Sequence, residues 1–210
     1  MRVLVFGESS VQGFWDSQGG WVARLQRYYD ERQVKDLSKE LPRVMNLGIS
    51  GANTQAMLDR FDNETKARQN PKGVSFVIST GGNSSMKEGD SYVSTPEIYE
   101  GQIKVLIDKA KQYSDKIMFV GLCPFDDSKT NPVPWGEYYF TNERRKMFDD
   151  ITAKACKQED VPFVQVFEKF GNKLHEDILA HDAMHPNDKG HQLIFELVRS
   201  ELDRLLEAKA

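Results

Sequence analysis

Arg2-Val3-Leu4-Val5-Phe6-Gly7-Glu8-Ser9-Ser10-Val11-Gln12-Gly13 joins a short run of apolar residues to a polar turn held between two glycines. Arg2 to Phe6 has the length and β-branched content of a strand, and Gly7 marks where the chain must change direction. Four similar runs follow at Arg43 to Leu47, Val74 to Ser79, Lys116 to Leu122 and Pro162 to Val166, each bounded by Gly, Pro or Asn. Between them the apolar residues recur at helical spacing. Trp21, Val22, Leu25, Tyr28 and Tyr29 form one such stripe, Tyr99, Ile103, Leu106, Ile107 and Ala110 a second, Phe148, Ile151 and Ala155 a third, and Ile194, Val198, Leu202 and Leu205 a fourth. A shorter helix is expected after Asn53, with Met57, Leu58 and Phe61 turned inward and Asn53 or Thr54 as its cap. Strand and helix in alternation require crossovers between parallel strands, and crossovers are almost always right-handed. The expected fold is therefore α/β, a three-layer α/β/α sandwich around a five-stranded parallel sheet.

The chain has 210 residues, 39% hydrophobic and 29% charged, which suits a single domain, 1–210, with a substantial core. Its net charge of −4, with no basic stripe, argues against nucleic acid as a partner. No apolar stretch is long enough for stable membrane insertion, and no basic-then-apolar leader precedes Arg2. Two cysteines, Cys123 and Cys156, lie outside any zinc-type spacing and read as small buried hydrophobes. A reducing cytoplasmic location is the simplest expectation. Nothing in the pattern specifies an oligomeric state.

In parallel sheets, ligands sit beyond the carboxyl ends of the strands, and that is where the chemically suggestive segments fall. Ser9 follows the first strand, Gly51 and Asn53 the second, and Gly81-Gly82-Asn83-Ser84 the third. The last loop contains Asp182-Ala183-Met184-His185-Pro186. A serine hydroxyl is a weak nucleophile, so it needs a base within reach and a third group to orient that base. His185 and Asp182 can supply both, because a tight turn lets the carboxylate accept from Nδ1 while Nε2 faces outward. Pro186 keeps His185 out of a helix. Acyl transfer also needs donors for the developing oxyanion. The Ser9 N–H, the Gly51 N–H and the Asn83 carboxamide are candidates, with Gly48 competing for the place of Gly51.

These blocks, in this order, resemble the SGNH hydrolases, also called GDSL-like lipases or acylhydrolases. Phe6 to Gly13 is similar to that family's nucleophile block, Asn46 to Thr54 to its second, Gly81-Gly82-Asn83 to its third, and Asp182 to His185 to its D-x-x-H block. The resemblance implies a flavodoxin-like sandwich. It also implies Ser9, Asp182 and His185 as catalytic residues, and Ser9, Gly51 and Asn83 as the oxyanion hole. The implied activity is hydrolysis of a carboxylic ester, an acyl-enzyme reaction on a small ester or acetylated substrate that uses no cofactor. Two positions depart from the family's pattern: Glu8 stands where Asp is usual, and Ser84 where an Asp usually follows the asparagine.

Trp15, Met86, Phe125 and Trp135 are the candidate substrate-binding residues, with Phe14, Tyr138 and Tyr139 on the same loops. The connection from Cys123 to Tyr139 reads as irregular. A metal reading of His181, Asp182, His185 and His191 fails because Pro186 interrupts the helix that the His181–His185 offset would need, so no metal is expected. His175 and His191 read as polar contacts. Two rival functions start from the same fold: a binding module that turns over weakly or not at all, motivated by Glu8, and a flavodoxin-type nucleotide-binding protein using Gly7 to Gly13 as a phosphate cradle. The second lacks both the P-loop lysine and a dinucleotide fingerprint.

Overall fold

In the computed structural model, which describes residues 1–171 and 177–207, the five apolar runs pair into one parallel sheet. The strands are β1 (Arg2–Gly7), β2 (Arg43–Gly48), β3 (Val74–Ile78), β6 (Ile117–Val120) and β8 (Phe163–Val164), in the spatial order β2-β1-β3-β6-β8. β1 lies between β2 and β3, with Val5 opposite Asn46 on one side and Val77 on the other.

Alternation along β1 divides the core into two layers. Leu4 and Phe6 face a cluster that contains Phe61, Phe76, Tyr99 and Phe148, whereas Val3 and Val5 face Trp21, Leu25, Val77 and Val198. The first layer is covered by α3 (Thr54–Arg68), α4 (Pro96–Lys111) and α5 (Asn142–Gln158), the second by α2 (Gly20–Lys35) and α7 (Asp188–Glu207). This partition follows from handedness. From β1 the chain steps outward to β2, then returns past β1 and moves the other way, so crossovers of one hand put α2 on one face and α3 to α5 on the other. No helix of the described residues is long and apolar enough to cross a membrane.

Helix ends are fixed by side chains that the sequence places there. Asn53 caps α3 through Ala56 N–H, and Thr95 and Thr141 cap α4 and α5. Three features differ from the expectation. Ser9 lies not in an open turn but at the start of a one-turn helix, α1 (Ser9–Gln12). Val166 leaves the last strand to begin α6 (Val166–Gly171). The connection from Cys123 to Tyr139 is partly regular: β7 (Tyr138–Tyr139) pairs with β4 (Lys87–Glu88), which pairs with β5 (Ser91–Tyr92), forming a small antiparallel sheet.

His191, on α7, is fully buried and clamps the segment that follows α1. Its Nδ1 accepts from Trp21 N–H at 3.2 Å, and its Nε2 donates to Phe14 O at 2.8 Å, a pairing that needs the neutral ring. Burial pushes its pKa below 6.5, against a partial opposing effect of the Phe14 carbonyl and of Asp16. The neutral folded form loses ground as the unfolded chain takes up a proton, so this contribution is complete above about pH 6.5 and is lost as the pH falls. Asp149, whose carboxyl burial pushes up to about 6, works in the opposite sense, so the test is a difference. His191→Gln is expected to remove part of the loss of stability between pH 7.5 and 5.5, up to about 1.4 kcal/mol per pH unit, in urea titrations. Identical pH slopes for the two proteins would contradict the assignment.

Candidate active site

The end of β1 determines where Ser9 lies. Glu8 is extended, and Ser9 then starts α1, whose C-terminus is closed by Gly13 at φ 115°. A Cβ on Gly7 would lie 2.6 Å from Cβ of Val11, so only glycine lets α1 fold back against the strand. The Ser9 N–H is at the first turn of the helix, where backbone donors have no intrahelical acceptor.

The loop before α7 brings the other terminal region to the same point. Ser9 Oγ is 2.6 Å from His185 Nε2, and His185 Nδ1 is 2.6 Å from Asp182 Oδ2. The local turn is fixed by Asp182 itself, whose Oδ1 accepts from Met184 N–H and His185 N–H, each at 3.0 Å. Burial alone would raise the Asp182 carboxyl, but the His185 ring and these two N–H groups outweigh it and hold the carboxyl down to about 2. An ionised Asp182 fixes the proton on Nδ1 and leaves Nε2 to accept from the serine hydroxyl. One more donor reaches Asp182: Trp15 Nε1 donates to Oδ2 at 2.7 Å.

Gly51 and Asn83 border the same cleft as Ser9 and His185. Gly51 takes φ 78°, and nothing lies within 4 Å of the Cβ it lacks, whereas a Cβ on Gly48 would lie 2.8 Å from Gln12 Cα. Gly48 is therefore a packing glycine, and Gly51 is the one open to the cleft. Asn83 Nδ2 donates to Ala52 O at 2.9 Å, which ties the loops after β2 and β3 together and leaves its second amide hydrogen available.

Glu8 and Ser84 hold this arrangement in place. Glu8 Oε1 accepts from Gly81 N–H at 2.9 Å and Oε2 from Asn83 N–H at 3.0 Å, so the carboxylate beside Ser9 holds the loop that carries Asn83. Burial pushes the Glu8 carboxyl up, and Arg145, the two N–H groups and Thr80 counter it only in part. Ser84 Oγ accepts from Thr54 N–H at 3.0 Å and pairs with Thr54 Oγ1 at 2.8 Å, fixing the start of α3. Sequence reasoning noticed both residues only as departures. The available signal for Glu8 was its place at a strand end, where a carboxylate can cap the neighbouring strand's outgoing loop. The Trp15–Asp182 contact joins residues far apart in the chain and had no such signal.

Of the expected pocket residues, Trp15, Met86 and Trp135 line a cleft of about 590 Å³ over Ser9, with Phe14 and Tyr138 beside them. Trp15 and Trp135 are each 57% exposed. Phe125 is different: it is 2% exposed, packs with Val133, Phe140 and Met184, and lies under the Arg145 guanidinium, 3.9 Å from its ring centre. It anchors its loop and, instead of the open cleft, lines a small recess that also touches Ser9, Asn83 and His185. Tyr139 is also outside the cleft, under Lys87 Nζ. Cys123 and Cys156 are buried free thiols, and burial pushes both up, Cys156 to about 12. His181 lines a separate surface cavity on the far side of Trp15, and His175 lies outside the described residues. Among the described residues no group of three or more His, Cys, Asp or Glu side chains converges as a metal site would require.

Comparison with known proteins defines the class. Residues 5–193 match the GDSL-like lipase/acylhydrolase family, and the chain belongs to it. It is 22% identical over 200 residues to the isoamyl acetate-hydrolyzing esterase of Saccharomyces cerevisiae, an alignment covering 91% of this chain and 82% of the yeast protein. The fold matches a lipase/acylhydrolase from Enterococcus faecalis with a TM-score of 0.75 at 18% identity, over 100% of this chain and 99% of the other. An acetylxylan esterase from Geobacillus stearothermophilus matches with a TM-score of 0.70 at 20% identity, over 96% and 93%. The protein is thus an enzyme of the GDSL-like esterase class.

Glu8→Gln tests the link between the two loops. An amide offers one acceptor where two N–H groups converge, so its NH2 must face either Gly81 or Asn83. Leaving one buried donor unpaired is expected to lower kcat by about 10- to 100-fold while the chain stays folded by circular dichroism. Unchanged kcat would show that the Glu8 carboxylate does not position Asn83.

Proposed function

We propose that this protein is a serine-dependent ester hydrolase, one domain over residues 1–210, that works on a small ester through an acyl-enzyme. Ser9 Oγ attacks the ester carbonyl as its proton passes to His185 Nε2, forming the C–Oγ bond. The Ser9 and Gly51 N–H groups and the Asn83 amide receive the oxyanion. Its collapse breaks the bond to the alcohol oxygen, which takes the proton from Nε2 and leaves. A water then gives a proton to Nε2 and attacks the acyl carbon, and the proton returns to Ser9 Oγ as the carboxylic acid departs. Asp182 stays ionised and orients the imidazole throughout. Nucleophile, base and donors are all supplied by the chain, so the reaction needs no cofactor.

The observation that carries this reading is the unbroken series of contacts from Ser9 Oγ to His185 Nε2 and from His185 Nδ1 to Asp182 Oδ2, both 2.6 Å. The second length suits a charge-assisted hydrogen bond to the ionised Asp182, and the relay is already aligned before substrate arrives. The position of Asn83 and Gly51 around the same cleft supports the oxyanion roles.

Two substitutions test the assignment with 4-nitrophenyl acetate as substrate. Ser9→Ala is expected to lower kcat by about 10⁴-fold or more. Asn83→Ala should lower kcat by about 10²–10³ with little change in KM, because its donor acts on charge that exists only in the transition state. Ser9→Ala protein that keeps wild-type turnover would refute the proposal.

A further inference from the structure

Two spaces meet at Ser9, and they differ greatly in size. One is the cleft of about 590 Å³, rimmed by Trp15 and Trp135. The other is a recess of about 20 Å³ that also touches Ser9, Asn83 and His185, with Cys123, Phe125, Phe140 and Met184 as apolar walls and Glu8 and Arg145 as charged ones. A space of that volume admits one water-sized group, since a single water needs about 10–15 Å³ on the same measure.

Resting on the reading of Ser9 as nucleophile, we propose that the recess is the acyl site and that the enzyme is specific for acetyl esters. The tetrahedral carbon formed on Ser9 has four substituents. Oγ and the oxyanion have their places, so the acyl substituent and the leaving oxygen must point into the two remaining spaces. The alcohol has to depart, and water has to replace it, while the acyl group stays attached. Exchange therefore belongs to the open cleft, and the retained fragment to the recess. A methyl group fills it against Cys123, Phe140 and Met184.

The charged walls of the recess exclude longer chains by chemistry as well as by size. Arg145 is 6% exposed, with Nε donating to Cys123 O and its ring-facing side on Phe125. A Cβ on Gly82 would lie 2.6 Å from Glu8 Oε2 and 2.7 Å from Arg145 Nη1, so the two charged groups converge on the same glycine. A third acyl carbon would press apolar surface against this carboxylate and guanidinium and displace the residue that holds the Asn83 loop. Specificity for a short acyl group is thereby tied to the same side chain, Glu8, that organises the donors.

Hydrolysis of 4-nitrophenyl acetate, butyrate and octanoate by the intact protein tests this, with Ser9→Ala as the control. From acetate to butyrate, kcat/KM is expected to fall about tenfold or more, with octanoate lower still. Phe140→Ala should shrink the acetate-to-butyrate ratio by about tenfold by lengthening the recess, and Met184→Ala provides the same readout if loss of Phe140 unfolds the loop. Ser9-dependent turnover that is flat or rises with chain length would overturn the acyl assignment and leave the nucleophile intact. That result would put the acyl chain in the open cleft and a water in the recess. Absence of Ser9-dependent turnover with all three esters would remove the reading beneath the inference, and the inference with it.

Discussion

β1 is held between two parallel neighbours, and its own outgoing connection runs in the direction opposite to theirs; the crevice at the site follows from that constraint. The chain leaves β1 toward α2 on one face, while β2 and β3 lead to α3 and α4 on the other. No crossover can close the gap above the end of β1, so a crevice remains where three strand ends lie side by side. Glycines then allow the loops to approach. Gly7 lets α1 turn back on the strand, and Gly51 opens onto the cleft with a backbone that other residues rarely adopt. Ser9, Gly51 and Asn83 are neighbours because their strands are.

His185 and Asp182 reach this crevice from a different direction, and their placement depends on packing more than on the sheet. α7 buries Ile194, Val198 and Leu202 against the layer that contains α2, which fixes the helix start just beyond His185. His191 then joins α7 to Phe14 and Trp21, and Trp15 joins the segment after α1 to Asp182. These three polar contacts thus align the terminal regions of the chain to within a hydrogen-bond length at Ser9. The electrostatics favour the same state: Asp182 is held ionised by donors, and burial keeps the His191 imidazole neutral between Phe14 O and Trp21 N–H.

Much of this arrangement can be read directly from residue order. The five strands are apolar runs with clear punctuation, and the four amphipathic stripes continue for several turns, long enough for periodicity to decide. The ordered blocks around Ser9, Asn46 to Thr54, Gly81 to Asn83 and Asp182 to His185 named the groups that meet at the cleft. Short elements gave no comparable signal. Lys87–Glu88 and Ser91–Tyr92 are two-residue strands of polar or exposed residues, formed because β7 comes alongside, and α1 is one turn shaped by Gly7 and Gly13. Phe125 borders the small recess at Ser9 and not the open cleft, and loop position does not tell which way a ring points. The roles of Glu8, Trp15 and Arg145 depend on contacts across 70 or more residues for the first two and on burial for the third, and neither is encoded in local pattern.

A crystal structure of the protein after reaction with a fluorophosphonate ester would test the central geometry most directly. The account predicts phosphorus bonded to Ser9 Oγ, with the phosphonyl oxygen within about 2.7–3.2 Å of the Ser9 and Gly51 nitrogens and Asn83 Nδ2. Modification of a different residue, or a phosphonyl oxygen turned away from those three donors, would contradict it.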